Sequence, residues 1–134
     1  MAVLAKIKDT EFGVGDRIRV IQRIKDGDKS REASFEGMVI SIKGRGISKT
    51  FMVRKIAEGN IGVERIFPFE MPSIDRIIVV KRGVEGVRRA KLYYTRTKSP
   101  TEIEMIFKRA AVKRAVKAPA KKSKPPKKAP SKKK

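Results

Sequence analysis

The sequence predicts a mainly β protein, a small barrel followed by one C-terminal helix and a disordered basic tail, and three observations carry that prediction. Between residues 12 and 98, short stretches rich in Val, Ile, Phe and Arg are broken at Asp26-Gly27, Gly44 to Gly46, Glu58-Gly59-Asn60, Pro68 to Pro72 and Gly83 to Gly86. Such punctuation suits strands joined by turns. Several stretches alternate apolar and polar residues with the period of two that a strand imposes. Charge is unevenly divided, with 13 Lys and Arg and no acid from Lys108 to the end. Five or six strands in about ninety residues bury only a small core, and closing them into a barrel would remove aggregation-prone edges.

Along the chain, residues 1–11 form an N-terminal segment whose opening, MAVLAKIKD, has no long apolar stretch and no small-residue cleavage pattern. It reads as the start of a cytosolic protein without a removed leader. GVGD at 13–16 reads as a turn leading into RIRVIQRI. In that strand Ile18, Val20 and Ile24 fall on one face and Arg17, Arg19 and Arg23 on the other, with Ile21 and Gln22 breaking the alternation. TFMVRKI, residues 50–56, places Phe51 and Val53 on one face, Arg54 opposite and Lys55 at the end beside a turn. IDRIIVVK is apolar enough on both faces to predict a central strand. VRRAKLYYTR, residues 87–96, holds both tyrosines; as a strand it puts Ala90, Leu92 and Tyr94 on a core face and Arg89, Lys91 and Tyr93 on a contact face.

SPTE at 99–102 carries the marks of a helix start: Ser99 to cap free amides, Pro100 for the first turn and Glu102 to complete a capping box. Ile103, Ile106, Phe107 and Ala110 then share one face at helical spacing, predicting a helix to about residue 116. From residue 117 to 134 the only apolar residue type is Ala, and four prolines block regular structure. That stretch is expected to be disordered alone and to serve as a tether on nucleic acid.

Composition narrows the function. There are 35 Lys and Arg against 14 Asp and Glu, a formal +21 on 134 residues, so the expected company is polyanionic. Without His or Cys, imidazole acid-base chemistry, thiol nucleophiles, disulfides and the usual zinc sites are excluded. No catalytic residue, metal ligand or cofactor is expected. The run Ile77 to Val80 is far too short to cross a bilayer, so no membrane partner is expected either. GRGISKT at 44–50 superficially suggests a phosphate-gripping loop, but Ser48 stands where Gly must precede the lysine, and a hairpin turn fits better. GVGD lacks the third glycine of a dinucleotide fingerprint because Ile18 occupies its place. Asp26, Asp28, Glu32, Glu36, Glu64 and Asp75 are scattered among basic residues, where their common role is to orient Arg side chains.

Arg offers phosphate a planar fork, while Tyr93 either stacks on an unpaired base or covers the rim of the barrel. Lys and Arg see the same charge on DNA and RNA. No helix-turn-helix, zinc finger or basic zipper aims side chains into a DNA groove, which favours RNA read by shape. The alternative is a non-specific DNA-binding nucleoid-type protein, suggested by the Lys/Pro-rich ending. An RNA-modifying or nucleotide-hydrolysing enzyme would need the phosphate loop or nucleophile-base set that is missing.

FEGMVI (35–40), GRGISKTFMVRKI (44–56), IGVERIFPFEMPSI (61–74) and VVKRG followed by VRRAKLYYTR resemble, in order, the signature blocks of bacterial large-subunit ribosomal protein nineteen. The resemblance covers residues 12–98. It implies an SH3-like β-barrel in the cytoplasmic ribosome, without catalysis, that contacts ribosomal RNA of the large subunit and of the small subunit near their interface and helps bridge the two. Ribosomal protein fourteen is an implied neighbour. Carried over block by block, the implied RNA contacts are Arg45 and Lys49 in the loop, Arg54 and Lys55 on the strand, Arg65, and Arg88, Arg89, Lys91 and Arg96; Tyr93 joins them on its own chemistry. Two places depart from the family pattern: Val84-Glu85-Gly86 looks like a lengthened link, and SPTEIEMIFKR with the helix and tail beyond it looks extra. Residues 108–134 are expected to follow a groove of ribosomal RNA.

Overall fold

A computed structural model describes residues 3–117. Seven strands are formed, β1 (Leu4–Ile7), β2 (Thr10–Gly13), β3 (Arg17–Asp26), β4 (Lys29–Lys43), β5 (Thr50–Ile56), β6 (Gly62–Pro68) and β7 (Ile74–Lys81). Short 3-10 turns lie at Gly46–Ser48, Glu58–Asn60, Val84–Gly86 and Tyr93–Arg96, and one helix, α1 (Pro100–Lys117), ends the described chain. The mainly β class with a C-terminal helix is as expected. The tail lies outside the described residues, apart from Lys117 as the last residue of α1.

β3 pairs along its whole length with Lys29 to Met38 of β4 around a two-residue turn, where Gly27 takes φ +61, a conformation that glycine adopts without strain. β5 returns antiparallel on β4 and β6 on β5, while β7 pairs with the other edge of β3, giving the order β6-β5-β4-β3-β7. No ladder joins β6 to β7, so the barrel is not closed by hydrogen bonds. The β1–β2 hairpin contributes Phe12 to the core, the chain from residue 82 to 99 contributes Leu92, and α1 contributes Ile106 and Phe107. An aromatic group lies at its centre, with Phe51 5.2 Å from Phe12, 5.3 Å from Phe67 and 5.3 Å from Phe69 between ring centroids. Edge-to-face and offset contacts at such distances add to the burial of the rings.

Three strand expectations are corrected. β7 is an edge strand, not a central one, and Ile78 and Val80 are exposed. Asp75 has no partner in the β3 register, and this bulge changes the phase so that Ile74 and Ile77, three residues apart, both turn inward. The outer edge of β7 is capped by side chains: Lys8 Nζ donates to the carbonyls of Ile74 (2.9 Å) and Asp75 (2.5 Å), and Thr10 Oγ1 donates to that of Ile77 (3.0 Å). Such capping blunts an edge that would otherwise template pairing. Ile24, placed on the packed face by alternation, is exposed because the β3–β4 hairpin projects past the end of β7, whose pairing stops at Gln22.

The largest difference concerns residues 87–96, which form no strand. β5 runs along one edge of β4 as far as Lys43, whereas β3 covers the other edge only as far as Met38. Beyond Met38 the stretch reaches β4 through one backbone bond, the Ile40 carbonyl accepting the Leu92 N–H at 2.8 Å. One bond is not a ladder. Thr95 then bonds back to the Leu92 carbonyl through both its N–H (3.0 Å) and its hydroxyl (2.6 Å), closing a 3-10 turn. Leu92 is buried as expected, whereas Ala90 is exposed.

GVGD forms the expected turn, and Asp16 proves to be its anchor. The Asp16 carboxylate is fully buried and accepts the N–H groups of Gly13 (3.0 Å), Gly83 (2.7 Å) and Val84 (3.1 Å). The 44–50 segment makes the expected hairpin connection, with Gly44 at φ +83 packed against the Ser48 carbonyl. At α1 the capping box forms in both directions, Ser99 N–H to Glu102 Oε2 (3.2 Å) and Glu102 N–H to Ser99 Oγ (3.4 Å). Ile106, Phe107 and Ala110 are buried on the helix's inner face.

Candidate nucleic-acid interface

Register decides which basic residues share a surface. In antiparallel pairs, directly opposed residues lie on one face. The pairs Lys43↔Thr50, Ser41↔Met52↔Ile66 and Arg54↔Glu64 therefore form one face of β4–β6, and Phe51↔Phe67, Val53↔Arg65 and Lys55↔Val63 form the other. Arg54 and Lys55, adjacent in sequence, point to opposite sides.

On the first face the Tyr93–Arg96 turn approaches Glu64. Arg96 donates to both Glu64 oxygens, Nε at 2.8 Å and Nη2 at 2.7 Å, while Arg54 Nη1 donates to Oε1 at 2.9 Å. The bond from Arg96 is the main cause that holds the Glu64 carboxyl below its usual pKa, against the opposing effect of burial. Arg96 is in turn pushed up. The guanidinium carbon of Arg96 lies 4.9 Å from the centre of the Tyr93 ring, and Lys43 Nζ lies 5.6 Å from it. The Tyr93 hydroxyl is shielded from water and completes no hydrogen bond. Its proximity to Lys43 first, and to Ser41 second, holds its pKa below the ordinary phenol value.

On the opposite face Lys55 Nζ sits 4.9 Å from the Phe35 ring centre, and the Arg65 guanidinium lies 5.4 Å from Phe35 and 5.2 Å from Phe67. These cations lie over the aromatic edge of the core, held by cation–π attraction. In the β4–β5 loop Arg45 is exposed and Lys49 lies 4.7 Å from the Phe69 ring centre. Arg88, Arg89 and Lys91 are exposed on the strap between the last two 3-10 turns, with Arg89 5.6 Å from the Tyr94 ring centre.

The anticipated residues thus separate into two kinds. Among the described residues, Arg45, Lys49, Lys55, Arg65, Arg88, Arg89 and Lys91 have no acidic side chain within ion-pair distance. Arg54 and Arg96 share Glu64 instead, and Arg54 is largely enclosed. Three further cations beside aromatic rings, Lys43, Arg17 and Lys81, were not among the expected contacts. Lys43 is two residues on from Ser41 in β4, a spacing that strand periodicity could have revealed. Arg17 and Lys81 flank the Phe107 ring at 5.7 and 4.8 Å, an arrangement that depends on where α1 docks.

A family model described as Ribosomal protein L19 matches residues 3–114. The chain belongs to the ribosomal protein L19 family. A large ribosomal subunit protein bL19 of Thermosipho africanus is 58% identical over 92 residues, covering 68% of this chain and 78% of that relative. One of Borreliella burgdorferi is 48% identical over 103 residues, covering 77% of this chain and 83% of its own length. Membership of the L19 family makes the chain a structural component of a ribosome and not an enzyme. The match also runs through most of α1, so the helix falls within the span of the L19 family rather than beyond it. The link at Val84–Gly86 and the helix, each set apart from the expected pattern, are packed against one another.

Proposed function

We propose that the chain is a constituent of the large ribosomal subunit in the cytoplasm, binding ribosomal RNA near the subunit interface and helping to bridge the two subunits. The observation that carries this reading is that seven of the nine expected basic contacts have no acidic partner among the described residues and are held on strands, a loop and a strap of one fold. Cations held over aromatic rings and at the ends of paired strands keep their positions, so phosphates at matching spacing meet a prearranged surface. Large-subunit RNA is the main partner, small-subunit RNA meets the same protein at the interface, and neighbouring large-subunit proteins, ribosomal protein fourteen among them, pack alongside.

In this reading residues 12–98 form the RNA-binding domain, and residues 108–134 add contacts along an RNA groove. Arg45, Lys49, Lys55, Arg65, Arg88, Arg89 and Lys91 act on phosphate, while Arg54 and Arg96 act through the geometry that Glu64 imposes. A truncation after Lys117 keeps Ala110 in place and tests the tail's share; unchanged affinity for ribosomes would sink that part.

The test of the whole is sedimentation of a lysate at low and high salt. Non-specific binding through six to ten phosphates weakens roughly 10³- to 10⁵-fold between about 50 and 200 mM salt. A shaped site predicts one copy per large subunit after a high-salt wash. Release by salt, or migration with DNA, would favour the nucleoid-type alternative.

A further inference from the structure

The bidentate fork of Arg96 is already occupied. Its Nε and Nη2 are bonded to Glu64 at 2.8 and 2.7 Å, so a phosphate seeking that edge must displace a carboxylate. What remains is Nη1 and the face of the guanidinium turned away from the Tyr93 ring, whose centre lies 4.9 Å from the guanidinium carbon, on a side chain that is 46% exposed. The phenol oxygen of Tyr93 is turned away from water, so hydrogen bonding by that hydroxyl is not what the turn presents. Beside Glu64 on the same face of β6 stands Ile66, 61% exposed and paired with Met52. Exposed aliphatic surface offers nothing to phosphate but suits the face of a base. Lys43 completes the border, exposed and without an acidic partner among the described residues.

We propose that Tyr93 and Arg96, pinned by Glu64 and bordered by Ile66, form a platform on which one unpaired RNA base stacks, with Lys43 beside it for the adjoining phosphate. This rests on the RNA-binding reading above and names the chemical group recognised at one part of that surface. Unpaired bases stack on Arg planes and aromatic rings, and such stacking tolerates any base because each has a π-face. Glu64 is the positioning residue: its two oxygens fix the plane of the guanidinium, which a Lys ammonium cannot imitate.

The test compares binding of the full chain to a short oligoadenylate and to an abasic ribose-phosphate strand of equal length and charge. Contacts from the Lys-rich tail act on phosphate and are the same for both strands, so the ratio of affinities isolates the base. The wild-type chain is expected to prefer oligoadenylate by roughly 5- to 140-fold, the worth of one stacked base. Arg96→Lys keeps the charge but not the plane, and should remove most of the preference for oligoadenylate over the abasic strand. Lys43→Gln should weaken both strands equally. Equal wild-type affinity for the two strands, or a full preference retained by Arg96→Lys, overturns the platform. If the wild-type chain shows no preference yet stays on large subunits through a high-salt wash, only the platform falls; if it also leaves the subunits, the RNA-binding reading falls with it.

Discussion

Gly86 lies directly beneath α1, so close to Ile106 that a Cβ at this position would collide with the Ile106 carbonyl oxygen. The collision would be with backbone rather than with a side chain able to swing aside. Gly86→Ala should therefore push α1 outward and cost about 1–3 kcal/mol, the usual range for overpacking. Thermal denaturation should show a melting temperature lowered by several degrees. An unchanged value would mean that α1 is not seated on the Val84–Gly86 turn.

Asp16 ties the start of β3 to residues 67 and 68 positions further on through its bonds to Gly83 and Val84. Asp16→Ala leaves three amides without their acceptor and should cost about 3 kcal/mol. Asp16→Asn keeps one acceptor oxygen and should cost less, about 1–2 kcal/mol. Urea midpoints for the two variants, compared with the wild-type chain, should fall in that order.

Glu64 predicts a pH dependence. Its carboxyl is held below the ordinary 4.5 by Arg96 and Arg54, so the folded state favours the ionised form. The stabilisation is complete above the ordinary value and is lost as pH falls through the lower folded value. Relative to wild type, Glu64→Gln should be less stable at neutral pH by a constant margin that closes only in acid below about pH 4.5. A margin that stays constant through the acid range would contradict this.

Lys55 and Arg65 lie over the Phe35 ring with no acidic partner among the described residues. If each neutralises one RNA phosphate, Lys55→Gln and Arg65→Gln should each reduce the slope of log affinity against log salt by about 0.7–0.9. Filter binding to ribosomal RNA over a salt series reads that slope. A slope unchanged in both variants would confine their role to covering the rim of the core.

Ser99 caps α1 through a hydrogen bond of 3.4 Å on an exposed surface. Ser99→Ala should cost about 0.5 kcal/mol, the low end for lost caps. The expected readout is a slightly lower melting temperature with unchanged affinity for ribosomal RNA.

The sequence by itself determined the features that depend on near neighbours. Alternation placed Ile18 and Val20 inside and Arg19 outside, because side chains in a strand alternate whatever they pack against. Ser99, Pro100 and Glu102 marked the start of α1 because capping is settled within one turn. The exposed cations of the strap were equally legible, since charge is a property of composition. Tertiary structure decided everything that required a partner from far along the chain. β7 became an edge because pairing depends on which strand lies beside it, and the 87–96 stretch lost its strand because after one backbone bond to Ile40 it turns back at Thr95. The β1–β2 hairpin acquired a role only when Phe12 met Phe51. Arg96 met Glu64, 32 residues away, because an ionic fork goes to the carboxylate that folding brings within reach, and sequence distance says nothing about which one that is.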